Sequence, residues 1–138
     1  MEGEVSFPAT LEGVRRSIEF VKRSLEELGY PPKVRARLAI VVDEIVGNIA
    51  KHAYGASTGD VTLRFSVQQG GDAVEITFID EGVAFSPLAW LQANAASAKA
   101  NRRIGGQGIR IASSIADAIE YERDGAKNIL RIRMLVGK

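Results

Sequence analysis

The chain has 138 residues, 46% hydrophobic and 25% charged, which is the balance of one folded domain and excludes a disordered segment. Its 18 Lys and Arg against 17 Asp and Glu leave a formal net charge of +1, too little for a field that would hold nucleic acid. Cysteine is absent, so disulfides, thiolate metal sites and cysteine nucleophiles are excluded.

The opening "MEGEVSF" lacks the basic-then-apolar pattern of a secretory leader, and no apolar run is long enough to span a bilayer. A cytoplasmic protein with no membrane contact is expected, folded as one domain over residues 1–138. "EVSF" reads as a short edge strand stopped by Pro8. Thr10 is a suitable N-cap for a helix whose apolar stripe is Leu11, Val14, Ile18, Val21, Leu25 and Leu28. Gly29 and "YPP" end it. A second helix is expected from about Lys33 to about His52, with Val34, Leu38, Val41, Ile45 and Ile49 on its apolar face. Val61, Leu63, Phe65 and Val67 then alternate with polar residues. "QQGGD" is a turn, and Val74, Ile76 and Phe78 alternate again, so the two runs predict a β-hairpin.

From Gly82 to Ile104 the chain is rich in alanine and short of pattern, a length that predicts a functional or mobile loop. After "GGQG" a helix is expected to carry Ile109, Ile111, Ala112, Ile115 and Ala116, and the strands "AIEYER" and "ILRIRMLV" close the chain around a "DGAKN" turn. The order β-α-α-β-β-loop-α-β-β predicts a two-layer α/β sandwich: a mixed, mainly antiparallel sheet with the helices on one face.

Three groups of residues carry chemistry. On the second helix Glu44, Asn48 and His52 recur every four residues and form one stripe bordering the apolar face. A stripe of this kind is either a polar helix edge or a pairing of a base with a metal ligand. Asn offers a neutral oxygen suited to Mg²⁺, and Glu can accept a proton from a water or hydroxyl. His52 falls near the helix C-terminus, where a cation is favoured, and reads as structural.

Asp80 continues the inward-facing series Val74, Ile76 and Phe78. A carboxylate there needs hydrogen-bond donors to offset its desolvation. It is either the turn residue that ends the strand or an acceptor at a pocket floor for an exocyclic amine, such as adenine N6. "GGQGI", starting at Gly105, places three glycines before a helix whose free N–H groups attract anions. The G-x-x-x-x-G-K-[ST] pattern is absent, and Ile111 stands where a dinucleotide fingerprint needs its third glycine. A hinge and a phosphate site both fit the stretch.

In this order and spacing, "DEIVGNIAKHAYG", "DEGVAFSP" and "GGQGIRIASSIADAIEYERDGAKNILRIRM" resemble the N, G1 and G2 boxes of the GHKL ATPase superfamily. "HAYG" after the first and "D…YER…GAKN" after the third are similar to one branch, the anti-sigma-factor serine/threonine kinases. The resemblance implies the Bergerat (histidine-kinase-like) fold, with ATP and Mg²⁺ as cofactors. It implies that Glu44 activates the acceptor hydroxyl, Asn48 holds Mg²⁺ and Asp80 reads adenine N6. Gly82 and Phe85 would lie at the base, and Gly105, Gly106, Gln107, Gly108 and Ile109 at the phosphates, with residues 86–104 as the ATP lid. The implied substrate is a serine on an anti-sigma-factor antagonist, and the implied second partner is a sigma factor held by a homodimer. A non-catalytic module that only clamps its partner is the alternative. The family often shows D-x-G-x-P-F-D-P at G1. Here Ala84 replaces the proline and Ser86 the second aspartate, so the lid entrance is expected to differ.

Overall fold

The computed structural model describes residues 2–52, 59–68, 71–83 and 115–136. Seven elements follow one another: β1 (Glu2–Pro8), α1 (Leu11–Glu27), α2 (Pro32–His52), β2 (Asp60–Val67), β3 (Ala73–Asp80), β4 (Ala118–Asp124) and β5 (Lys127–Leu135). The helix expected after "GGQG" and the loop before it lie outside the described residues, apart from Gly82, Val83, Ile115 and Ala116.

Local chemistry sets the helix ends. The Thr10 hydroxyl accepts from the Gly13 N–H at 3.1 Å, the expected N-cap of α1. At the other end Tyr30 N donates to Leu25 O (3.1 Å) and Gly29 N to Glu26 O (3.0 Å), with Gly29 at φ +82°. That is a Schellman closure, and Tyr30 and Leu25 both belong to the buried core. α2 begins one residue earlier than expected, at Pro32, whose missing N–H costs nothing in the first turn. Leu11, expected on the apolar stripe, is instead 85% exposed: it stands in the first turn, at the margin of the buried arc.

The strands form one sheet in the order β1-β2-β3-β5-β4. Every neighbouring pair is antiparallel, so the expected mixture of directions is not found among the described strands. The reason lies in α1 and α2, which return the chain to where β1 ended. Pro8 faces Asp60, the first residue of β2, and β2 must therefore run back along β1. One side of the sheet carries Phe7, Val61, Leu63, Phe65, Val74, Ile76, Phe78, Leu130, Ile132 and Met134. Val14, Val21 and Leu25 of α1 and seven residues of α2 join them in a single core. Alternation with period 2 on the strands and 3.6 on the helices brings these side chains to one layer boundary. The helices of the described chain cover one face, the two-layer α/β sandwich anticipated.

Contact between α1 and β1 is close. A Cβ at Gly13 would stand 1.7 Å from the Pro8 carbonyl oxygen. On the opposite face, Glu4–Arg64 and Glu122–Arg131 pair across neighbouring strands and keep that side polar.

Candidate functional site

The inner face of the sheet is built in rows. One row runs Val5, Leu63, Phe78, Leu130 and Tyr121 across all five strands, and only its last member bears a polar group. The next row runs Phe7, Val61, Asp80, Asn128 and Arg123. At this end of the sheet the apolar face therefore gives way to three polar side chains on adjacent strands.

Asp80 and Asn128 are each only 5% exposed. Asp80 Oδ1 accepts from the Gly82 N–H at 2.9 Å and from Asn128 Nδ2 at 2.9 Å. Asn128 Nδ2 also donates to Val83 O at 2.8 Å, and its Oδ1 accepts from the Tyr121 hydroxyl. Arg123 Nη1 donates to Gly82 O at 2.9 Å while its Nε donates to Gly125 O at 3.1 Å. Gly125 lies in the two-residue loop of the β4–β5 hairpin with φ +60°, while Ala126 has no positive φ. A II′-type loop needs this glycine at its first position. The hairpin thus holds the turn after β3 by its backbone carbonyls, and it holds Asp80 by the carboxylate.

Asp80 Oδ2 accepts no hydrogen bond from a described residue. No buried side-chain oxygen among the described residues lacks a partner, so Oδ2 reaches the surface as an open acceptor. The turn reading of Asp80 is seen directly, since Oδ1 closes the turn by accepting from the Gly82 N–H.

Glu44 and Asn48 lie one turn apart on α2, each half-buried. The buried Ile45 and Ile49 are on one side of them and the exposed Ile40 and Asp43 on the other, the helix edge that the spacing predicts. Between them in sequence stands Gly47, where an added Cβ would meet no heavy atom of the described residues within 4 Å. No hydrogen bond or ion pair among the described residues joins Glu44 or Asn48 to Asp80. His52 ends α2, but its side chain is outside the described set, as are Phe85, Gly105, Gly106, Gln107, Gly108, Ile109 and residues 86–104.

Among the described residues no three His, Cys, Asp or Glu side chains gather as a metal cage. The Asn48 carboxamide oxygen on the helix edge is a hard donor of the kind that suits Mg²⁺.

Asn128, Tyr121 and Arg123 were not assigned a role from the sequence. A signal for Asn128 was present: it opens the inward series Asn128, Leu130, Ile132 and Met134, just as Asp80 closes the series on β3. Two polar residues at the ends of two apolar series are a pair once the strands are known to be neighbours.

No helix of the described chain is long and apolar enough to cross a membrane. A comparison with the curated proteins gives no match. Among solved structures, the chain is similar to the RsbU and RsbW domains of Rv1364c from Mycobacterium tuberculosis, with a TM-score of 0.70 at 15% identity. That alignment covers 100% of this chain and 33% of the other, so the chain spans about a third of that protein's length. It is also similar to a chain of the SiaB–SiaC complex from Pseudomonas aeruginosa, with a TM-score of 0.59 at 12% identity, covering 96% and 89% of the two chains. At these identities the likeness is one of fold. The family model of the histidine kinase-like ATPase domain matches residues 7–134, nearly the whole chain, and so the chain belongs to the histidine kinase-like ATPase domain family.

Proposed function

We propose that the chain is an ATP-dependent protein-serine kinase of the anti-sigma-factor type. The observation that carries this reading is Asp80: a buried carboxylate with one oxygen built into the fold and the other open. An open acceptor at the end of an apolar sheet face suits a flat ring bearing an exocyclic amine, and adenine is such a ring. Family membership supports ATP as the ligand. The likeness to a structure that includes an RsbW domain, and to one solved as a two-protein complex, supports a protein partner.

In this reading Asp80 takes the adenine N6 amine and Gly82 lets the base approach, with Phe85 beside it. Gly105, Gly106, Gln107, Gly108 and Ile109 surround the phosphates, residues 86–104 form the lid, and the Asn48 carboxamide oxygen holds Mg²⁺. Bound Mg²⁺ supplies charge neutralisation at the phosphates. Glu44 takes the proton of a serine hydroxyl on an anti-sigma-factor antagonist as its oxygen bonds to the γ-phosphorus and the bond to ADP breaks. The same domain, as a homodimer in the cytoplasm, holds a sigma factor.

The test is Glu44→Gln under single-turnover conditions with the antagonist. Glutamine keeps the shape and loses the basicity, so phosphotransfer should slow by roughly 10²–10⁴-fold while MgATP binding persists. Unchanged transfer in the variant would remove Glu44 as the base. A wild-type chain that binds MgATP and its partner yet transfers no phosphate would be a non-catalytic clamp.

A further inference from the structure

Asp80 is aimed by hydrogen bonds that all run in one direction. The Tyr121 hydroxyl donates to Asn128 Oδ1, and Asn128 Nδ2 donates both to Asp80 Oδ1 (2.9 Å) and to Val83 O (2.8 Å). The orientation of the Asn128 amide is forced. Turned over, its oxygen would face a carboxylate and a carbonyl, both acceptors, across distances at which a donor is needed. With the amide held this way and the Gly82 N–H as a second donor, Oδ1 is occupied. The sense of the relay leaves Asp80 with an outward acceptor, Oδ2, and no outward donor.

We propose that Asn128 and Tyr121 are positioning residues that set the base specificity of the site. They hold Asp80 so that Oδ2 meets a donor on the ligand, which selects a 6-amino purine over a purine with a carbonyl or nothing at that position. The inference rests on the nucleotide reading above and adds to it: the selection is made in the β4–β5 hairpin, on strands remote in sequence from Asp80. A merely structural role for the same bonds would steady the hairpin and weaken every nucleotide alike.

The experiment separates these. Binding of ATP and of purine riboside triphosphate, which differs only in lacking the 6-amino group, is measured by calorimetry on wild type, Tyr121→Phe and Asn128→Ala. Because the phosphates are the same, contacts to them cancel in the ratio. Wild type should prefer ATP by about 10–150-fold, the range for a hydrogen bond to a charged group. Asn128→Ala should bring the two ligands to within about threefold, and Tyr121→Phe should narrow the ratio by about threefold. Tyr121→Phe removes one hydroxyl from a half-buried ring, and circular dichroism of each variant reports whether it is folded. Should Asn128→Ala fail to fold, Tyr121→Phe alone decides. If folded variants keep the wild-type ratio, whatever the loss in affinity for both ligands, the positioning role is overturned. If wild type binds neither ligand or does not tell them apart, the adenine reading itself falls, and the inference with it.

Discussion

Replacing Asp80 by asparagine tests the candidate site at its centre. Both inward partners of Asp80 Oδ1 are donors, the Gly82 N–H and Asn128 Nδ2, each at 2.9 Å. The new amide must therefore keep its oxygen inward and turn its nitrogen outward, since the opposite orientation sets two donors against a third. Inside the fold the bonds survive and lose only their charge assistance. Hydrogen bonds to charged groups are worth about 1.5–3 kcal/mol against about 1 kcal/mol for neutral ones, and the loss is offset in part because a charge need no longer be buried. The cost to stability should be about 1 kcal/mol. Outside, an open acceptor has become a donor. An adenine amine then meets an N–H and not an oxygen, so ATP should bind more weakly by roughly 1.5–3 kcal/mol, about 10–150-fold. Inosine triphosphate, with a carbonyl in place of the amine, should lose less than ATP or gain. Calorimetry with both nucleotides, beside thermal unfolding of the free protein, reads the two effects apart. An Asp80→Asn chain that is folded and binds ATP as wild type does would refute the reasoning.

Three further outcomes are expected. Asn48→Ala should lose most of the increment that Mg²⁺ adds to ATP affinity, because Mg²⁺ beside phosphate usually takes only one or two protein oxygens; an equal Mg²⁺ effect in variant and wild type would show that Asn48 is not a ligand. Gly13→Ala should destabilise by roughly 1–3 kcal/mol or more in urea titration, since the added carbon would stand 1.7 Å from the Pro8 carbonyl oxygen and α1 would have to lift from β1; an unmoved midpoint would contradict that contact. Burial first, and then the charge of Asp72, raise the pKa of Tyr30 above its ordinary value, so its contribution to stability is complete below about pH 10 and lost as pH rises through the higher folded value. Tyr30→Phe should therefore flatten the alkaline limb of the stability profile while losing about 1 kcal/mol at neutral pH, because Gly71 O gives up its 2.8 Å donor; the same alkaline limb in both proteins would exclude Tyr30 as its source.

The elements were legible in the sequence because their causes are local. Thr10 caps α1 through a hydroxyl three residues away, Gly29 ends it, and the alternation on β2, β3 and β5 follows from the pleat. The helix-edge position of Glu44 and Asn48 follows in the same way from a rotation of about 100° per residue. Pairing is different. That β3 lies between β2 and β5, that β1 runs antiparallel to β2, and that Leu11 is left in solvent depend on where the chain goes after each element ends. Asp80 was recognisable from its place in an apolar series, but its partners were not. Asn128 is 48 residues away, and its role exists only because the β3–β5 register sets those two residues opposite each other. Local periodicity tells which face a side chain takes. Hydrogen bonds between distant strands tell which side chain it meets there, and the direction of those bonds, donor toward acceptor, is set by neighbours that only the folded sheet brings together.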